Sequence, residues 1–187
     1  MYCKTVRKLG KKGESQVDNR YILDQERYAA LARRAAAEGC VLLKNTKRAL
    51  PLKEGESVSV FGRIQFDYYK SGTGSGGLVN TRYVVGILDA LKEEDLILNQ
   101  KVEETYRKWL ETHPFDAGTG WAQEPWSQEE MPLTDELVRE ASARSDAAIV
   151  IIGRTAGEDQ DACAEKGSYL LTDLEEEMLE KVCRAFP

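Results

Sequence analysis

Three carboxylates lie close together in the sequence, at Glu158, Asp159 and Asp161. They follow residues 147–152 (AAIVII), an apolar run that is typical of a strand buried on both faces of a parallel sheet. In open α/β sheets, ligands bind in the crevice at the carboxyl ends of such strands. This position makes the acidic loop a candidate site, although a loop that simply faces solvent has the same composition.

The acidic loop has two chemical interpretations. Carboxylate oxygens bind hard cations such as Ca²⁺ or Mg²⁺, although the spacing here lacks the rest of a calcium loop. Alternatively, one carboxyl group transfers a proton. A glutamic acid that is partly enclosed near other carboxylates has a raised pKa and can donate a proton at neutral pH. Hydrolysis of a glycosidic bond uses such an acid, with a second carboxylate as nucleophile or base.

A glycine-dense loop and two tryptophans are further candidates for ligand contacts. Residues 72–77 (GTGSGG) could bind an anion through their backbone amides. They lack the Gly-Lys-Ser/Thr ending of a phosphate loop and do not directly follow a strand, which favours a contact with another ligand or a neighbouring domain. Trp121 and Trp126 lie in the irregular segment 113–132, where an indole can stack on a sugar ring or anchor the loop.

The composition limits the class of protein. The 187 residues, 42% hydrophobic and 31% charged, indicate one globular domain, and no apolar run is long enough to cross a bilayer. A net charge of −6 argues against binding to nucleic acid or to a membrane surface. The four cysteines lack metal-type spacing, and His113 is the only histidine. We therefore expect a cytoplasmic protein with reduced thiols, no metal and no cofactor.

Apolar periodicity and capping residues predict alternating helices and strands, with Asp24 capping the first helix and a capping box of Thr172 and Glu175 beginning the last. A polar amino-terminal arm (1–24) precedes the main domain (25–187). The predicted helices cover 25–38, 82–93, 102–110, a segment after Thr134, and 173–185, and the predicted strands cover 57–61 and 147–152. This order predicts an α/β sandwich, a mostly parallel sheet flanked by helices. Because the chain ends after a helix, where a further strand is due, we expect the sandwich to be truncated.

Several segments occur in an order that is specific in combination. Residues 35–45 (AAAEGCVLLKN) lead to an LPL motif at 50–52, the strand SVSVFG and then the loop with GTGSGGLVN. Residues 151–161 (IIGRTAGEDQD) form a strand followed by a G-E-x-x-D loop, and a YLLT motif follows at 169–172. This series resembles the second domain of glycoside hydrolase family 3. The resemblance covers about residues 25–185.

The resemblance implies a retaining, exo-acting β-glycosidase, in most members a β-glucosidase. The family's nucleophile is an aspartate in a TIM-barrel domain, and its acid/base is usually a glutamate on a loop of the second domain, which would be the loop 153–171 here. That glutamate corresponds to Glu158, and Asp161 corresponds to an aspartate that orients or supports it. Arg154, Trp121 and Trp126 are candidates for contact with a β-glycoside substrate.

The sequence departs from the family pattern in two respects. Gln160 and Ala162 stand where the family commonly has an aromatic residue and an arginine. No segment of the chain supplies a barrel. We therefore expect the amino-terminal fragment of a domain-permuted member, inactive alone and partnered by the barrel of the same enzyme. The alternatives are a non-catalytic carbohydrate-binding or interaction module and a small nucleotide-binding regulator.

Overall fold

The structure is a computed structural model that describes residues 23–69, 71–77 and 79–186. The chain divides into two compact units, Met1–Pro51 and Leu52–Pro187. Most of the predicted amino-terminal arm lies outside the described residues, so its boundary at residue 24 stays a prediction. No helix in the described part of the chain is long and apolar enough to span a membrane.

Helix α1 (Gln25–Gly39) is the main element among the described residues of the first unit. Asp24 begins the helix as predicted, because its side chain accepts a hydrogen bond from the N–H of Arg27 (3.0 Å). The apolar sequence 41–43 predicts a short strand or a last helical turn, but it forms neither and is exposed. A strand needs a hydrogen-bonded neighbour, and the described residues of this unit include no other strand.

A parallel sheet forms the centre of the second unit. Its described strands are β1 (Ser57–Phe61), β2 (Ile97–Leu98) and β3 (Ala147–Val150), in the spatial order β2-β1-β3. Strand β3 ends two residues before the predicted limit, although the N–H of Ile151 still donates to the carbonyl of Phe61 (2.9 Å). The parallel pairing confirms the predicted fold class.

Four α-helices among the described residues accompany the sheet: α2 (Ile87–Glu93), α3 (Gln100–Leu110), α4 (Asp135–Ser142) and α5 (Asp173–Ala185). The predicted capping box of α5 is confirmed, with Thr172 and Glu175 exchanging side-chain and backbone hydrogen bonds. Helix α2 begins five residues later than predicted. Gly86 precedes its first turn and donates its N–H to the carboxylate of Asp89 (3.1 Å), which fixes the start of the helix there.

The two faces of β1 pack into different apolar clusters, because successive side chains of a strand point to opposite faces. Val58 and Val60 pack with Leu88 of α2. Phe61 belongs to a second cluster built from α3, α4 and α5, whose buried members include Tyr106, Val138 and Met178. Helices therefore cover both faces of the sheet, as an α/β sandwich requires.

The end of β1 approaches the end of β3 very closely at Gly62. A Cβ atom at this position would lie 2.0 Å from the carbonyl oxygen of Ile151, and the φ angle of Gly62 is +102°. The N–H of Gly62 donates to the hydroxyl of the buried Tyr106 (2.8 Å). Only glycine combines this backbone conformation with this contact.

We expect Gly62→Ala to lower the free energy of unfolding by roughly 2–5 kcal/mol, because it adds a steric clash to a strained φ angle. The matched control is Gly55→Ala, where φ is +75° and nothing lies within 4 Å of the new Cβ. That variant should lose only about 1–2 kcal/mol. Equilibrium urea unfolding followed by circular dichroism measures both, and equal losses would contradict the role of the close approach.

Candidate active site

The glycine-dense loop and the acidic loop lie side by side. The N–H of Thr73 donates to the carbonyl of Ala156 (3.2 Å), and Thr73 pairs with Gly157 in a short parallel bridge. The approach is close, since a Cβ atom on Gly72 would lie 2.5 Å from the oxygen of Ala156. The structure therefore brings together two motifs that the sequence analysis treated separately.

Glu158 occupies a tight turn at the edge of these loops. Gly157 and Gln160 exchange two backbone hydrogen bonds (3.1 and 3.0 Å), and the intervening Asp159 has a φ angle of +60°. Glu158 is exposed, and its Oε2 accepts a hydrogen bond from the N–H of Ser75 (3.0 Å). The backbone N–H of Ser75 in the glycine-dense loop thus binds the protein's own carboxylate at Glu158.

The pKa of Glu158 is lowered, whereas the sequence predicts that it is raised. Hydrogen bonds from the Ser75 side chain, and then from its N–H, lower the pKa of Glu158, while slight desolvation acts in the opposite direction. A raised pKa requires a partly enclosed carboxyl group among other carboxylates. In the structure the group is exposed and faces hydrogen-bond donors, which stabilise its ionised form.

Gly74 places the carboxylate next to an aromatic ring. Its φ angle is +72°, and a Cβ atom here would lie 2.7 Å from Cβ of Glu158, 3.0 Å from its Oε2 and 3.4 Å from Cζ2 of Trp121. Both side chains therefore pack where Gly74 has no side chain of its own. Trp121 remains 52% exposed, so a large part of its indole is available to a ligand.

The other predicted site residues of these segments are placed differently. Asp161 is exposed and makes no hydrogen bond or ion pair with the described residues. Trp126 is half-buried, and its carbonyl accepts a hydrogen bond from the N–H of Thr155 (2.9 Å). The indole N–H of Trp126 is buried without a hydrogen-bond partner among the described residues. Trp121, rather than Trp126, accompanies Glu158.

Arg154 binds the protein itself. Two of its guanidinium nitrogens pair with the two carboxylate oxygens of the buried Glu175, each at 2.6 Å. Its Nε donates to the carbonyl of Ser168 (2.7 Å), and further bonds reach the carbonyls of Gly153 and Leu170. These contacts attach the segment that follows β3 to the first turn of α5.

Arg63 is a structural residue that the sequence analysis missed. It is 2% exposed, and its guanidinium donates to the carbonyls of His113 (3.1 Å) and Glu129 (3.0 Å) and lies 5.4 Å from the ring centre of Trp109. It thereby ties both ends of the irregular segment to the end of β1, and Trp121 lies between those ends. The only available signal was a charged residue directly after a predicted strand.

A buried carboxylate lies beside Arg63. The side chain of Glu130 accepts hydrogen bonds from the N–H groups of Arg63 (3.0 Å) and Met131 (2.8 Å). Burial raises the pKa of Glu130, although these bonds partly oppose the rise. Burial, with Glu130 nearby, also raises the pKa of Tyr106 well above its usual range. Both side chains are buried and do not reach the surface at which Glu158 is exposed.

The described residues contain no group of three or more His, Cys, Asp or Glu side chains that could hold a metal ion. At Glu158 itself the structure places one hydrogen-bond donor, the N–H of Ser75, and one aromatic neighbour, Trp121. Such an arrangement can take up and release a proton beside a ring-stacking surface.

Residues 40–187 match the family described as the glycosyl hydrolase family 3 C-terminal domain. The chain belongs to glycosyl hydrolase family 3. The match includes β1, β3, the glycine-dense loop and the loop that carries Glu158. It confirms the family that the motif order indicated.

Relatives of this family 3 domain are much longer proteins. The chain is 54% identical over 160 residues to a β-glucosidase of Ruminococcus albus, and 31% identical over 156 residues to β-glucosidase A of Butyrivibrio fibrisolvens. These matches cover 86% and 82% of the chain but only 17% of each relative. The chain therefore spans about a sixth of the length of the curated relatives it matches.

Solved structures give the same result. The crystal structure of a β-glucosidase from Paenibacillus barengoltzii matches with a TM-score of 0.83 and 54% identity, over 88% of this chain and 18% of that chain. β-Glucosidase 3B from Thermotoga neapolitana, in complex with α-D-glucose, matches with a TM-score of 0.75 and 31% identity, over 87% and 23%. The family 3 domain described here has the fold of a part of each enzyme.

We expect Arg154→Met to lower the free energy of unfolding by about 3–5 kcal/mol, because Glu175 would remain buried without its partner. Adding Glu175→Met should recover part of this loss. The control is Arg139→Met, whose exposed pair with Glu136 (3.9 Å) should contribute less than about 1 kcal/mol. Urea unfolding of the parent chain, Arg154→Met, Glu175→Met, the double variant and the control measures these differences, and additive losses at Arg154 and Glu175 would contradict the pairing.

Proposed function

We propose that this domain supplies the general acid/base of a retaining, exo-acting β-glycosidase of the β-glucosidase type. The observation that carries the proposal is the position of Glu158. Its carboxylate is exposed at the carboxyl end of the sheet, is oriented by Ser75 and lies with Trp121 against Gly74. The names of the relatives, all β-glucosidases, supply the reaction class.

In the proposed reaction Glu158 acts twice. As an acid it protonates the glycosidic oxygen of the leaving group, and as a base it then activates the water that hydrolyses the glycosyl-enzyme. Retention requires a nucleophilic carboxylate about 5–5.5 Å away. The nucleophile belongs to a TIM-barrel domain of the same enzyme, which is therefore the partner that the proposal requires.

Other residues of the loop have supporting roles in the proposal. Trp121 offers an aromatic face to the β-glycoside. A supporting role of Asp161 toward Glu158 stays a prediction, because Asp161 makes no hydrogen bond or ion pair with the described residues. Arg154 and Trp126 fix the path of the chain that leads to Glu158, through Glu175 and Thr155. A direct contact of these two residues with the substrate stays a prediction.

We also propose that the protein is cytoplasmic and needs no cofactor. Cys40, Cys163 and Cys183, the cysteines among the described residues, are all free, which supports a reducing compartment. Neither nucleic acid nor a membrane surface is a proposed partner, because the chain is acidic, with a net charge of −6.

The isolated chain should be almost inactive toward 4-nitrophenyl β-glucoside. It contributes a proton donor and acceptor but no nucleophile, so the glycosyl-enzyme cannot form. Release of 4-nitrophenol over hours, compared with a buffer blank, measures the rate. Turnover at about 1 per second or faster, within the range of ordinary enzymes, would refute the division of the site between two domains.

A chimera tests the role of Glu158. Residues of this chain would replace the matching segment of the Ruminococcus albus β-glucosidase, to which they are 54% identical. We expect Glu158→Gln to lower kcat/KM for a glucoside with a poor leaving group by about 10²–10⁴-fold. The loss should be smaller for an activated aryl glucoside, whose departure needs little protonation.

The matched control in the chimera is Asp159→Asn. It removes a carboxylate from the neighbouring position, and asparagine tolerates the φ angle of +60°. This variant should keep the activity of the parent chimera. Azide should restore turnover of the activated substrate by Glu158→Gln, giving β-glucosyl azide, because azide needs no general base. An equal loss in both variants, or no loss in Glu158→Gln, would remove Glu158 from the mechanism.

A further inference from the structure

The contact between Ser75 and Glu158 joins residues 83 positions apart in the sequence. The donor comes from the backbone N–H of Ser75, which lies in a short 3₁₀ turn, Gly74–Gly76, closed by the N–H of Gly77 donating to the carbonyl of Gly74 (3.0 Å). The same loop is paired to the Glu158 loop through Thr73. Backbone geometry therefore fixes the donor relative to the carboxylate.

The space around the carboxylate is also determined by this loop. A side chain at position 74 would lie 2.7 Å from Cβ of Glu158 and 3.0 Å from its Oε2. Because Gly74 leaves this space empty, the Glu158 side chain can lie over the turn and reach the N–H of Ser75. Trp121 closes the other side of the same space.

We propose that Ser75 is a positioning residue for Glu158, whose carboxylate it holds over Gly74 through its backbone N–H, 3.0 Å from Oε2. A backbone N–H can act only as a donor, so this contact favours the charged carboxylate over the protonated one. The Ser75 side chain, and then this N–H, lower the pKa of Glu158. The meaning of this contact for catalysis rests on the proposed function, but the contact itself does not.

The surroundings of Glu158 contain few other charges. Asp159 and Asp161 lie on its own loop, residues 72–77 carry no titratable side chain, and its neighbour from the irregular segment is Trp121. Among the described residues no cation bonds to Glu158, and the lowering of its pKa comes from Ser75. In the proposed mechanism Ser75 thus favours the ionised form of Glu158, which activates water as a base. A second carboxylate must favour its protonated form, which acts as the acid.

The test measures the pKa of Glu158 directly in the 187-residue chain. Carboxyl ¹³C NMR of chain labelled at glutamate would be followed against pH, with the Glu158 signal assigned from its absence in Glu158→Gln. We expect a pKa below that of an ordinary glutamate. Ser75→Ala, which removes the hydroxyl donor, should raise it, and Ser75→Thr, which keeps both donors, should leave it low.

Two further variants complete the experiment. Gly74→Ala should also raise the pKa of Glu158, because it displaces the carboxylate from the N–H of Ser75. Ser71→Ala removes a hydroxyl from the same loop without changing this contact and should have no effect. An unchanged Glu158 pKa in both Ser75→Ala and Gly74→Ala, or an equal change in Ser71→Ala, would overturn the inference.

The pH profile of the chimera separates this inference from the proposed function. If Glu158 is the acid, the basic limb of kcat/KM should move to higher pH in Ser75→Ala, in the same direction as the NMR titration. A shifted NMR pKa with an unmoved basic limb would support the positioning contact and refute the acid role. An unchanged NMR pKa of Glu158 in Ser75→Ala would overturn the inference. The Glu158→Gln variant would then decide separately whether Glu158 is the acid.

Discussion

Parallel pairing of β1 with β3 decides where the candidate site forms. The carboxyl ends of neighbouring parallel strands lie at one edge of a sheet, so the chains that leave β1 and β3 begin side by side. At Gly62 the two backbones come closer than any side chain would permit. The glycine-dense loop and the acidic loop can therefore pair through Thr73 and Gly157, and Ser75 can reach Glu158. Loss of this approach would separate the two loops before any catalytic group was changed.

Buried Arg63 holds a third segment, the irregular segment 113–132, at the same edge of the sheet. A buried guanidinium is costly unless acceptors surround it, and the acceptors here are carbonyls at the two ends of the irregular segment. The segment has no regular secondary structure. These hydrogen bonds, together with those of the neighbouring Glu130, therefore fix the path of its backbone. Trp121 is presented beside Gly74 as a result. A charged residue in the core thus positions an aromatic residue at the surface.

Local signals predicted much of the fold, whereas contacts distant in sequence could not be read from it. Asp24, the Thr172 capping box and strand β1 were predicted because each depends on a few adjacent residues. The two-residue strand β2 carries too short a pattern to be recognised, and it exists because β1 pairs with it. The motif order identified the family and pointed to Glu158. The partnership of Glu158 with Ser75 depends on tertiary structure, and so the expected direction of the Glu158 pKa was wrong.

The lowered pKa gives a physical reason for dividing the proposed site between two domains. Retaining hydrolysis needs the same glutamate protonated in one step and ionised in the next. Ser75 favours the ionised state, whereas a nucleophilic carboxylate about 5–5.5 Å away would favour the protonated state through like-charge repulsion. When the nucleophile is consumed in the glycosyl-enzyme, that repulsion disappears and the influence of Ser75 remains. The glutamate would then be driven to its base form at the step that requires a base. In the proposed assembly, protonation of Glu158 is therefore controlled by both domains together.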